Sequence, residues 1–183
     1  MSNKLPFLPD DHHYAIANVA CRAAQLDHHI ELTVFCLMGQ HTGSFVLKQL
    51  GHDRQVGLIR ALTLDLFPEH ADELCEILDE IIVLRKERNE IMHWLWGEAD
   101  APDVAKYSSI RPYRENPEPK IKTAQEIQKI ADGMLGCTTD LLAYVDLELR
   151  KAGMRGLGGV DALWLDQIRE DRRRRRLSEG DDD

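Results

Sequence analysis

The sequence predicts an all-α protein, an antiparallel bundle of about five helices. Three observations point there. Apolar residues recur at steps of three and four through most of the chain between Asp10 and Leu149, the period of a core-facing helical stripe. Gly39, Gly51, Pro68 and Gly97 fall where those stripes end, as helix stops do. Most connections between stripes are brief, which makes neighbouring helices antiparallel.

After a Pro-bounded lead (residues 1–9, with Pro6 and Pro9), Asp10 or Asp11 caps a helix running to about Met38. Its stripe is Ile16, Val19, Ala20, Ala23, Leu26, Ile30, Val34 and Leu37. A short helix is expected from Ser44 to Leu50 and a third from Asp53 to Phe67, stopped by Pro68. The fourth carries Leu74, Ile77, Ile81, Leu84, position 88, Ile91 and Leu95, widened by Leu78, Ile82 and Met92, and ends at Gly97. Residues from Glu98 to Pro119 read as a long loop with one extended piece, Val104 to Tyr113; loops of that length inside a domain often carry function. Thr123-Ala-Gln-Glu126 is a capping box opening a fifth helix through Leu149. Within it, Gly133 and Gly136 leave room for another helix to come close. A Gly-rich break (Gly153, Gly156, Gly158, Gly159) then precedes a charged helix or tail, Val160 to Leu177, so that residues 10–151 form the domain and 152–183 lie beyond it.

Composition narrows the function. At 183 residues the chain has room for one domain with a core, and 43% hydrophobic residues suffice to fill it. The net charge of −9 argues against a broad basic face that grips duplex DNA. It does not argue against cutting a single phosphodiester, which needs only a few local cations. Cys21, Cys36, Cys75 and Cys137 show no C-x-x-C spacing and read as reduced, buried thiols. The opening MSNKLPFLPDD lacks an apolar signal region and no stretch nears the ~18 apolar residues of a membrane span, so a cytoplasmic protein with no membrane association is expected.

Position 88 belongs to the apolar seam of the fourth helix, yet it is arginine. A guanidinium stays charged, so it needs a facing carboxylate or a cleft. Asp27 and Glu31, which interrupt the first helix's stripe, are the candidate partners. His93 follows five residues on, about 140° around the helix, and shares a face with Asn89 at i, i+4. It also sits in the last helical turn, where unpaired carbonyls favour a protonated imidazole, so that the ring can take and give a proton. An arginine beside it suits a developing phosphoryl charge.

Arg88-Asn89-Glu90-Ile91-Met92-His93, late in a long amphipathic helix of an all-helical chain, resembles the R-x4–6-H motif of the HEPN superfamily, with its usual polar residue after the arginine. The resemblance spans the five helices, roughly residues 10–151. It implies a homodimer whose two motifs meet in a shared cleft, and, as in many members, a metal-independent endoribonuclease. Carried over, His93 assists attack of a ribose 2′-hydroxyl on the adjacent phosphate, Arg88 steadies the phosphorane, and Asn89 orients the pair. The products would carry 2′,3′-cyclic phosphate ends. No cofactor or metal is implied. The partners are RNA and a second copy, with an inhibitory protein if the chain is a toxin or defence component. Some members place a tyrosine shortly after the histidine; Trp96 stands in that neighbourhood here and supplies no phenolic hydroxyl.

Three other signals compete. A catalytically inactive interaction module of the same fold would keep the bundle and lose the chemistry. His28 with Glu31, and Glu90 with His93, are i, i+3 pairs of the kind that hold metal in di-iron bundles, although the first pair is reversed in order. Trp94 and Trp96 could stack a base or pack at an interface. The run Arg172 to Arg176 could meet RNA phosphates, but its acidic neighbours favour pairing among themselves or solvation. The sequence carries no Walker loop, nucleophile elbow, dinucleotide fingerprint or zinc spacing.

Overall fold

A computed structural model describes residues 8–98, 104–109 and 120–151, together with Glu170 and Arg174. The Gly-rich break, most of the expected C-terminal helix and the end of the extended piece through Tyr113 lie outside the described residues. The helical class holds. Among the described residues there are five α-helices: α1 (Asp10–Met38), α2 (Gln40–Leu47), α3 (His52–Leu66), α4 (Ala71–His93) and α5 (Ala124–Lys151). A 3-10 turn, Pro68–His70, leads into α4. None of these helices is long and apolar enough to cross a membrane.

Two expectations need correction. Helix α2 begins four residues earlier than read, because Gly39 adopts φ 77°, a conformation that reverses the chain in a single residue. The segment after α4, read mostly as loop, contains a three-stranded antiparallel sheet ordered β1 (Trp94–Glu98), β2 (Val104–Ser109) and β3 (Lys120–Thr123). Trp94 is opposite Ser109 and Glu98 opposite Ala105; Val104 is opposite Thr123 and Tyr107 opposite Lys120. Aromatic Trp94 and Trp96 favour extended backbone, and pairing with β2 satisfies the groups that a further helical turn would have used. The extended piece foreseen at Val104 coincides with β2 at its start.

The chain divides into two compact units. The first comprises Met1–Leu26 and Ile81–Leu135 and holds the sheet. Its core is Val19, Ala23 and Leu26 of α1, Ile81, Leu84 and Ile91 of α4, and Ile127, Ile130 and Met134 of α5. Each large aliphatic buried there contributes roughly 1.5–3 kcal/mol relative to exposure. Polar ties lock α1 to the strand and helix beyond it: His12 Nε2 lies 3.1 Å from the Lys122 carbonyl, and Asn18 Nδ2 donates to Gln128 Oε1 at 2.9 Å. A Cβ at Gly133 would stand 3.0 Å from Leu84 Cδ2, so α4 and α5 do approach closely at that glycine. The second unit, Asp27–Glu80 with Gly136–Asp183, packs Ile30, Val34, Val56, Ile59, Leu74, Ile77, Leu78 and Leu141.

The capping box at the head of α5 forms as the sequence implies. The Glu126 amide donates to Thr123 Oγ1 at 3.1 Å, while Glu126 Oε2 accepts from the Thr123 amide at 2.6 Å and from its hydroxyl at 2.9 Å. Those hydrogen bonds, the backbone one first, hold the Glu126 carboxyl below its usual range. Its contribution is therefore present above the unfolded carboxyl pKa and disappears as pH falls through the lowered native value. Glu126→Gln is expected to lower stability in urea titrations by about 0.3–1 kcal/mol at pH 7. The gap between variant and wild type should close under strongly acidic conditions; a pH-independent gap would contradict the assignment.

Candidate functional site

The candidate residues lie on the last two turns of α4. Its buried face in the first unit runs through Ile81, Leu84, Arg85 and Ile91. Arg85 is only 7% exposed, and the residue has an interaction partner. Arg88, expected on the seam, is half-buried. Ile82 and Met92, expected to widen the stripe, are 50% and 41% exposed. The seam therefore spreads toward Leu78 and Arg85, not toward Ile82. Arg85 was legible in principle: it follows Leu78 by seven and Ile81 by four, the same spacing that places the aliphatics.

Asn89 and His93 are both exposed. Arg88 and His93 sit about 140° apart around the helix and roughly 7.5 Å apart along its axis, so spacing alone does not bring them together. A hydrogen bond does part of that work. Arg88 Nη1 donates to Asn89 Oδ1 at 2.8 Å, which draws the guanidinium toward the face that Asn89 shares with His93. Guanidinium N–H groups are the donor type that meets phosphate.

His93 is the final residue of α4, and Trp94 opens β1 without a connecting loop. The helix thus ends four residues before Gly97. Carbonyls of the last turn lack helical partners there, at the negative end of the helix dipole. Trp96 lies in β1 opposite Tyr107 of β2. Asp27 and Glu31, the expected carboxylates, belong to the second unit, where Asp27 Oδ1 is 3.9 Å from His52 Nδ1.

Within the motif, Glu90 Oε2 accepts from Lys120 Nζ at 2.5 Å, tying α4 to β3. Beside that pair is an open groove of about 590 Å³ between α4 and the β3–α5 junction, lined by Ile82, Val83, Lys86, Ile121 and Lys122 among others. Among the described residues no group of three or more His, Cys, Asp or Glu side chains could hold a metal ion, so the di-iron alternative gains no ligand set there. In the arginine run, Arg174 Nε is 3.3 Å from Glu170 Oε1, and the arginine side chain is 72% exposed. That is the neighbour-paired, solvated arrangement the flanking acids favour.

The four cysteines are free thiols; Cys137 is buried, Cys36 and Cys75 half-buried, and Cys21 exposed, contrary to the buried state expected for all of them. Burial, and secondarily the Asp146 carboxylate, raise the pKa of Cys36. Thiol titration of the folded protein at mildly alkaline pH should therefore modify Cys21 well ahead of Cys36. Cys36→Ser should leave the fast phase intact, and its loss in that variant would contradict the ordering. The two arginines should also separate in stability. Arg85→Ala is expected to cost about 3 kcal/mol or more and Arg88→Ala less than about 1 kcal/mol, measured by chemical denaturation. The reverse order would place Arg88 in the core.

In comparison with known proteins, the chain matches no family model, no curated protein and no solved structure.

Proposed function

We propose that the chain is a metal-independent endoribonuclease of HEPN-like design, built on Arg88, Asn89 and His93. The observation that carries this reading is the Arg88–Asn89 hydrogen bond, which turns a half-buried guanidinium toward the exposed face where His93 ends the helix. A fixed donor array and a titratable ring at one helix end are the two groups that phosphodiester transesterification requires.

In the proposed step, the 2′-oxygen of a ribose bonds to the adjacent phosphorus and gives its proton to the His93 imidazole. The bond from phosphorus to the 5′-oxygen of the next nucleotide breaks, and that oxygen takes up the proton that the imidazolium gives back, so the ring ends as it began. Arg88 stabilises the extra negative charge of the pentacoordinate phosphorus, most strongly in the transition state. Asn89 acts through Arg88 and is a positioning residue. The products are a 2′,3′-cyclic phosphate and a 5′-hydroxyl, and no electron changes hands. The reading takes two copies of the chain, their motifs facing one cleft, with single-stranded RNA as substrate and an inhibitory protein if the activity serves defence.

A second reading, a catalytically silent interaction module, is favoured by the exposed aliphatics Ile82, Val83 and Ile121, which would suit a protein partner. Kinetics separate the two. RNA cleavage in excess EDTA is expected to fall at least about 100-fold in His93→Ala and in Arg88→Ala, with helical content unchanged by circular dichroism. Asn89→Ala should lose roughly tenfold in kcat, and Asn89→Asp, which can still accept from the guanidinium, should recover most of it. Cleavage indifferent to both the histidine and the arginine would refute the assignment.

A further inference from the structure

Glu90 stands inside the Arg88–His93 motif and is the one carboxylate residue within four positions of His93 along the sequence. At i, i+3 the two side chains are neighbours on the helix surface, with Cβ atoms about 5–6 Å apart. An ionised carboxylate in that place works against phosphate chemistry. It repels the anionic phosphodiester, more strongly as charge builds in the transition state, and it competes for the protonated imidazole. What holds the Glu90 carboxylate therefore decides how much of its charge the site feels.

The sheet holds it. Glu90 Oε2 accepts from Lys120 Nζ at 2.5 Å, with the glutamate side chain 20% exposed and the lysine 50%. Charges partly withdrawn from water interact more strongly than a pair on open surface. Lys120 lies thirty residues beyond Glu90 in the chain, and the strands bring it back. β1 starts directly after His93, β2 pairs with β1, and Lys120 of β3 is opposite Tyr107 of β2. The other charges near Glu90 are less well placed. On α4, Lys86 precedes it at i, i+4, the weaker order for such a pair, and Glu87 adds a negative charge one turn back. Across the groove, Lys122 acts on Glu126. Lys120 is the lysine that closes a direct contact with Glu90.

We infer that Lys120 is a positioning residue of the Arg88–His93 site, fixing and neutralising the Glu90 carboxylate so that a substrate phosphate can approach. The inference rests on the ribonuclease reading for its reaction, and one of its two readouts needs no RNA. Lys120 is half exposed, so Lys120→Met, which keeps the stem and loses the charge, should retain the helical content by circular dichroism. In cleavage of an oligoribonucleotide in excess EDTA, Lys120→Met should lose about tenfold in kcat/KM. Lys120→Arg and Glu90→Gln should stay within about threefold of wild type, as should Lys86→Met, the control for net charge. The double variant Lys120→Met/Glu90→Gln should recover to the level of Glu90→Gln, because the charge that Lys120 answers is gone. A lysine that merely tethers α4 to β3 gives a different pattern. Glu90→Gln then weakens the same tether, and the double variant is as poor as Lys120→Met.

The second readout is the Cε1–H resonance of the His93 ring in the free protein at fixed pH. It should move in Lys120→Met, as the released carboxylate comes to bear on the imidazole, and return in the double variant. An unmoved resonance in folded Lys120→Met overturns the inference whether or not the chain cuts RNA. A double variant that cleaves no better than Lys120→Met also overturns it, and if His93→Ala abolishes cleavage the ribonuclease reading stands without it. A resonance that moves and returns in a chain that leaves RNA whole supports the assignment of Lys120 to Glu90 and removes the catalytic reading.

Discussion

The last helical turn of α4 passes directly into β1, and the position of every candidate side chain follows from where that change falls. Had the helix run on to Gly97, the carbonyls around His93 would be consumed by amides four residues ahead. With Trp94 already in a strand, β1 pairs with β2 instead, and His93 becomes the last residue of the helix. The same change fixes the sheet, because β1 sets the register of β2, and β2 that of β3. Strand β3 then delivers Lys120 to Glu90 and Thr123 to the head of α5. One backbone transition thus arranges both the motif and the groove beside it.

Much of the helical architecture was legible because its cause is local. Apolar spacing placed α1 over its full length, and Pro68 marked the end of α3 to within two residues. The Thr123–Glu126 box was readable to the atom, since a hydroxyl three residues before a carboxylate has one good way to satisfy two orphan amides. The sheet was not legible. Strands as short as β3 have no periodicity to detect, and their existence depends on partners that sequence spacing does not identify. For the same reason the end of α4 was misplaced: Gly97 is a fair helix stop, but pairing of Trp94 through Glu98 with β2 intervenes first.

The candidate site was legible in part. Arg88, Asn89 and His93 were picked out by residue type and spacing, and the structure adds the hydrogen bond that relates the first two. The depth of Arg88 was overestimated, because a stripe drawn at steps of three and four has two possible flanks. The chain uses the flank of Leu78 and Arg85. Spacing admits Arg85 to that flank as readily as it admits Arg88 to the other, and only packing decides between them. The pairing of Arg88 with Asp27 or Glu31 rests on a facing relation between helices, which spacing within one helix does not specify; what the structure adds is that Asp27 Oδ1 lies 3.9 Å from His52 Nδ1.

The central claim concerns chemistry at the Arg88–His93 turn, and the ends of the RNA fragments report on it most directly. Mass spectrometry of a defined oligoribonucleotide after incubation with the protein in excess EDTA should find 2′,3′-cyclic phosphate on the upstream fragment and a 5′-hydroxyl on the downstream one. Fragments bearing 5′-phosphate and 3′-hydroxyl ends, or an RNA left whole by the correctly folded protein, would contradict it.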